Sequence, residues 1–149
     1  MVRLEILIYL QFSNKNVAPL LFQIFLISFL INLLWELIHS QLYETCLKLS
    51  IKKFIPLIVV ASLKDGFWIS LFFMISVYFF GNVNILVNQL QLMTFIFLSL
   101  SFACIDEKIS LRYKRWEYSK QMPKIWGVGI TPLLELAATG VLTFLYIFL

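Results

Sequence analysis

Charge is scarce in this sequence. Asp, Glu, Lys and Arg make up 13% of its 149 residues against 61% hydrophobic ones, a balance that excludes an ordinary soluble globular domain. Histidine occurs once, at His39. The two cysteines, Cys46 and Cys104, lack metal or redox spacing and imply no disulfide framework. Glycine is also sparse, and Gly127 and Gly129 are spaced too loosely for a nucleotide-binding loop. No internal repeat, low-complexity tract or second, soluble domain is visible. The apolar run Leu4–Leu10 is too short to span a bilayer and has no small-residue cleavage site after it, so it reads as an interfacial or packing helix rather than a cleaved signal peptide.

What remains is long and apolar. A helix needs about 20 apolar residues to cross a bilayer, and four stretches qualify: about residues 18–42, 54–80, 85–105 and 125–148. The expected fold is therefore all-α, a polytopic four-helix transmembrane bundle forming one domain over residues 1–149. Pro19 and Pro56 fall in the first turns of the first two spans, where a missing amide is tolerated. Gly81-Asn82-Val83-Asn84 reads as a tight turn that makes spans two and three an antiparallel hairpin.

The net charge of +4 is more informative in its placement than in its sum. The connections at about 43–53 and 106–124 carry Lys48, Lys52, Lys53, Lys108, Arg112, Lys114, Arg115, Lys120 and Lys124, whereas the opposite side has only Arg3 and Lys15. The positive-inside bias puts both connections in the cytoplasm and both termini outside. The basic residues then serve as contacts to anionic lipid headgroups, and no nucleic-acid partner is expected.

Against this apolar background the polar residues form a pattern. Ser28, Asn32, Glu36, His39 and Tyr43 are spaced four, four, three and four, which places them in one helical stripe. Such a stripe must face protein or water rather than lipid. Lys64-Asp65 interrupts the second span about ten residues in, roughly 15 Å along the helix. Glu107 lies at the end of the third span, and Glu135 is the last charged residue of the chain. Ionisable groups at such depths are costly and mark sites. They can also act as plain hydrogen-bonders between helices that Ala137, Ala138 and Gly140 allow to pack closely.

Glu36, His39, Asp65 and Glu135 are the candidates for acid–base work. Asn32, Trp35, Tyr43, Glu107, Trp116, Tyr118 and Thr131 are the candidates for ligand contact, with Trp116 or Tyr118 near a cavity mouth. Trp126 reads as an interfacial belt aromatic. Glu36-x-x-His39 has the spacing of two-metal carboxylate bundles, but no second copy of that spacing exists. A single zinc held by His39 with carboxylates stays open, but the sequence favours a hydrogen-bonded or proton-shuttling histidine, with no metal ligand and no cofactor assigned. Two readings of residues 127–132 stay open. In one, a helix begins near Ile125 and kinks at Pro132. In the other, Thr131 caps a helix whose first position is Pro132 and the glycines belong to a dipping loop. Glu135 is deep in the first and one turn below a helix N-terminus in the second.

The residues Asn32-Leu33-Leu34-Trp35-Glu36, His39, Tyr43, Asp65, Glu107, Trp116-Glu117-Tyr118, Met122-Pro123, Gly127, Gly129 and Pro132-Leu133-Leu134-Glu135 resemble a family of small four-span bacterial membrane proteins with no assigned activity. The chain departs from that pattern at His39 and Glu135, where the family pattern has Gln. The resemblance implies architecture only. A weaker likeness is to the membrane lycopene-cyclase type of carotenoid enzyme, where Trp-x-Tyr precedes Pro-x-Glu-Glu. Here the first acid is missing and the spacing is shifted. That likeness implies a carboxylic acid protonating an alkene, with aromatic faces stabilising the cation.

Three functions fit these residues. The leading one is binding or acid–base conversion of an apolar, lipid-like small molecule, isoprenoids included, in a polar cavity on the cytoplasmic half. The second is a small transporter or proton-coupled exchanger, which four spans could form only as a homo-oligomer. The third is a non-catalytic membrane interaction module.

Overall fold

The computed structural model describes residues 17–149; the expected short helix over Leu4–Leu10 lies outside them. These residues are mostly helical, in the order α1 (Val17–His39), α2 (Glu44–Leu47), α3 (Ile51–Phe80), α4 (Gln89–Arg112), β1 (Lys124–Ile125), β2 (Val128–Gly129) and α5 (Ile130–Phe148). Three segments are long and apolar enough to cross a membrane: Val17–Leu42, Ile51–Phe80 and Ile130–Phe148.

Helix starts are where the structure departs most from the sequence reading. Helix α3 begins at Ile51 rather than near Phe54, because the Ser50 carbonyl accepts from the amides of Lys53 and Phe54, each at 2.9 Å. Pro56 therefore sits in the second turn, and the Lys52 carbonyl lacks the amide donor it would find in an unbroken helix. The turn after α3 is longer than four residues. Gly81 ends the helix in the left-handed region at φ 71°, which a glycine adopts without penalty. A 3-10 turn over Ile85–Val87 follows, and α4 starts only at Gln89, where the Asn88 side chain accepts from the Gln91 amide at 3.2 Å.

The last helix starts at Ile130, five residues later than the 125–148 span expects. The intervening residues form a small antiparallel hairpin pairing Lys124 with Gly129 and Ile125 with Val128. Its two turn residues, Trp126 and Gly127, have φ of 51° and 79°, the paired positive values of a hairpin turn that matches strand twist. Trp126 stands exposed at the tip. Pro132 thus lies in the first turn of α5 without kinking it, close to the dipping-loop alternative, although Gly129 and not Thr131 occupies the cap position.

The core joins all four long helices through Ile24, Ile69, Phe72, Phe73, Phe95, Leu136 and Phe144. The Phe95 and Phe144 rings meet edge to face with centroids 4.8 Å apart. Two glycines permit the close crossings. A Cβ at Gly66 of α3 would touch the backbone of α1 at Phe25 and Phe29, and one at Gly140 of α5 would run into the Phe95 ring of α4. Hydroxyls in the interior turn back onto their own helices: Ser28 donates to the Ile24 carbonyl, Ser62 to Ile58, Thr139 to Glu135 and Thr143 to Thr139. Ser99 and Ser110 are the exceptions among the buried serines, their hydroxyls having no partner among the described residues. The outer faces are the reverse of a soluble protein's, with Leu34, Ile38, Phe79 and Phe97 all more than 60% exposed.

Gly140→Val should overpack the α4–α5 crossing and destabilise the detergent-solubilised protein by about 1–3 kcal/mol, read as a lower unfolding temperature. Adding Phe95→Leu should recover part of that loss, because the two changes share one space. A Gly140→Val protein as stable as the parent would mean that α4 and α5 do not meet at this point.

Candidate functional site

The polar stripe on α1 faces inward: Ser28, Asn32 and His39 are buried, and Tyr43, just past the helix end, is buried too. Its rotation follows from the apolar residues between them, since Leu30, Leu34, Leu37 and Ile38 are exposed on the other side. A cavity of about 290 Å³ opens beside this stripe. Glu36 and Tyr43 line it from α1 and its end, Lys64 and Asp65 from α3, Asp106 and Glu107 from α4, Arg115 and Trp116 from the long loop, and Glu135 from α5. Leu57, Ile58, Ala61, Phe102 and Leu136 supply its apolar wall.

Two clusters organise its polar side. In the first, one oxygen of Glu107, Oε1, accepts three hydrogen bonds. Tyr118 Oη donates at 2.5 Å, Trp116 Nε1 at 3.0 Å and Tyr43 Oη at 3.4 Å. Tyr118 Oη in turn accepts from the Gly129 amide at 2.8 Å. Burial, the first cause in both cases, pushes the Tyr43 and Tyr118 phenols well above their usual range; for Tyr118 the bond to Glu107 adds to it. Both therefore stay protonated donors. Backbone bonds tie the same loop down: Ser119 N to Leu42 O and Glu44 N to Glu117 O, each at 2.9 Å. Glu117 N also donates to Thr45 Oγ1 at 2.8 Å.

In the second cluster, His39 Nδ1 lies 3.7 Å from Glu135 Oε2, and His39 Nε2 lies 2.8 Å from Thr131 Oγ1. Glu36 joins them, with one donor atom from each of Glu36, His39 and Glu135 within 4.8 Å of the others. Met122 Sδ accepts from Thr131 Oγ1 at 3.3 Å. This places Met122 behind the cluster, and a Cβ at Gly129 would strike that sulfur at 2.9 Å.

The structure therefore brings Glu36, Asp65, Glu107, Glu135, Tyr43 and Trp116 to one cavity. His39 and Thr131 stand immediately behind Glu135, and Tyr118 behind Glu107. Asn32 and Trp35 are not in the lining. Asn32 Nδ2 donates to the Ser28 carbonyl at 2.7 Å within α1, and the Trp35 ring packs edge-on to His39. With α5 starting at Ile130, Glu135 is only its sixth residue. Glu135 and Asp65 nonetheless line the same cavity.

Several lining residues were not among the site candidates of the sequence, or have partners it did not name. Lys64 reaches across to Asp106 on α4, Nζ to Oδ2 at 2.8 Å, a pairing 42 residues apart that periodicity does not predict. Arg115, read from sequence as a headgroup contact, and Cys46, a lone cysteine, also face the cavity. Burial raises the Cys46 thiol above its usual range. No family model, curated protein or solved structure matches the chain.

Tyr118→Phe removes both a donor to Glu107 and the acceptor for the Gly129 amide, at a cost of about 1.5 kcal/mol. Hydrogen exchange at Gly129 should accelerate roughly tenfold, with faster tryptic cleavage at Lys120. Unchanged exchange would show that the phenol does not hold the hairpin.

Proposed function

We propose that this is a four-span integral membrane protein whose cavity binds a lipid-like small molecule, entering between α3 and α4. The observation that carries this reading is the cavity's two-sided chemistry. Its inner wall holds Glu36, Asp65, Glu107 and Glu135, whereas its α3 edge is made of Leu57 and Val60, which are themselves exposed on the outer face. An amphiphile matches that gradient, with its polar end inside and its apolar part at the lipid-facing cleft. The volume, close to 300 Å³, suits a headgroup or a short isoprenoid-sized segment rather than a whole lipid.

Helix α4 is the fourth span in this proposal. Met93, Phe97 and Ile105 are exposed along it, as a lipid-facing surface requires, and its charged residues gather at Asp106–Arg112. The basic residues of the two long connections then lie together on the cytoplasmic side, in contact with anionic headgroups, and both termini lie outside. Glu135 and Asp65 are placed for polar recognition or proton exchange with the bound molecule. Trp116 and Arg115 stand at the rim.

Ala61 lines the cavity wall, and Ala61→Trp should fill it without touching the acids. Solvent extraction of the purified parent, followed by mass spectrometry, should yield an apolar small molecule at a stoichiometry that Ala61→Trp reduces at least fivefold while helical circular dichroism is retained. An empty parent, or equal yields from the two proteins, would overturn the reading. The orientation has its own test: a cysteine at position 120, in a chain lacking Cys46 and Cys104, should react with a membrane-impermeant maleimide only from the cytoplasmic side.

A further inference from the structure

The cluster behind the cavity has a charge arrangement that ligand binding in the cavity does not account for. Glu36 and His39 are three residues apart on α1, so they share a face, and Glu135 reaches them from the second turn of α5. His39 and Glu135 are 5% and 7% exposed. Thr131 engages one imidazole nitrogen and leaves the other free. Its hydroxyl lies 3.3 Å from the Met122 sulfur and 2.8 Å from His39 Nε2. When it donates to the sulfur, the imidazole proton is on Nε2 and Nδ1 is left as an acceptor. Nδ1 faces Glu135 Oε2 at 3.7 Å, too far for a hydrogen bond. Neither Nδ1 nor Glu135 Oε1 has a hydrogen-bond partner among the described residues.

Acceptors from three side chains thus converge in a buried place with no donor between them. Such an arrangement is costly unless a cation sits among them or the carboxylates take up protons. Lys64 is the nearest candidate on α3, but its ammonium is held by Asp106 at 2.8 Å towards the exposed side. We propose that Glu36, His39 and Glu135 bind one divalent transition-metal ion of the zinc class, through His39 Nδ1 and one oxygen from each carboxylate.

The donor set and the spacing both fit. An imidazole with carboxylates suits zinc and its neighbours, whereas calcium and magnesium take oxygen ligands throughout. Ligands at roughly 2.0–2.1 Å from a tetrahedral zinc lie about 3.4 Å from one another. The His39–Glu135 separation of 3.7 Å is already near that, and Glu36 has a donor atom within 4.8 Å of both. Thr131 acts as the outer partner that fixes the histidine tautomer, as carbonyls and carboxylates do at known zinc sites. The third ligand comes from α5, so no second Glu-x-x-His is needed. Because Glu36 and Glu135 also line the cavity, an ion held by them would be reachable from it, as in sites that exchange a water or substrate.

The test uses the full chain in detergent micelles, stripped with a chelator and titrated with cobalt(II) as the probe. The parent should bind one equivalent with the visible absorption of four-coordinate cobalt, and zinc should abolish that band. Glu135→Gln and His39→Ala should weaken binding at least a hundredfold, and Thr131→Val ten- to a hundredfold, as outer-partner losses do. Glu44→Gln, on α2 but outside the cavity lining, should leave it unchanged. Absence of saturable binding by the parent overturns the proposal, as does full affinity in folded Glu135→Gln. If the ligand variants do not fold, Thr131→Val decides, and parental affinity in it overturns the proposal. The metal-free parent assayed for extracted lipid keeps this question separate from that of the cavity's occupant.

Discussion

A single carboxylate oxygen, Oε1 of Glu107, holds the long loop after α4 onto the helices. It accepts from Tyr43, Trp116 and Tyr118, which come from the end of α1 and from two points of the loop after α4. Bonds to an ionised acceptor are about twice as strong as neutral ones, and three donors on one oxygen offset much of the penalty for burying it. Through Tyr118 the same centre reaches the Gly129 amide, and so sets where α5 begins. The hairpin, the position of Thr131 and the entry of Glu135 into the bundle all follow from that anchoring.

The arrangement divides the charges of the bundle into two kinds. At the rim, Lys64 pairs with Asp106 across α3 and α4, and Glu44 pairs with Lys48 on α2; these are partly exposed and contribute little stability. Further in, Glu36, Asp65 and Glu135 have carboxylates with no such direct ion pair among the described residues, apart from the long contact to His39. Packing alone gives no reason to keep three acids there. An apolar side chain of similar volume would serve the bundle at least as well. The surplus of unpaired acceptors is what marks this end of the bundle as the candidate site.

Close helix crossings are the other condition for the site. Gly66 brings α3 against the backbone of α1, which puts Asp65, one residue earlier, into the cavity beside Glu36. Gly140 does the same for α5 against Phe95. With a larger residue at either point the helices would separate, and the acids would lie farther apart.

The long apolar runs determined the helices, and the four-four-three-four spacing from Ser28 to Tyr43 determined which face of α1 turns inward. Both are local properties: hydropathy and a 3.6-residue period operate within one helix and need no knowledge of its neighbours. The gathering of Glu36, Asp65, Glu107 and Glu135 was legible for a related reason, because few acids in an apolar chain have few places to go. Tertiary structure alone decided the rest. The start of α5 at Ile130 depends on a hairpin whose geometry is fixed by Tyr118 and Met122, neither of which is local to the helix. The Lys64–Asp106 pair, the placement of Arg115 and Cys46, and the loss of Asn32 and Trp35 from the cavity depend on how the helices rotate against one another. The Glu36–His39–Glu135 convergence is the clearest case. Sequence displays the first two at helical spacing, but the third arrives from α5, and only the packed bundle brings its oxygen to the histidine.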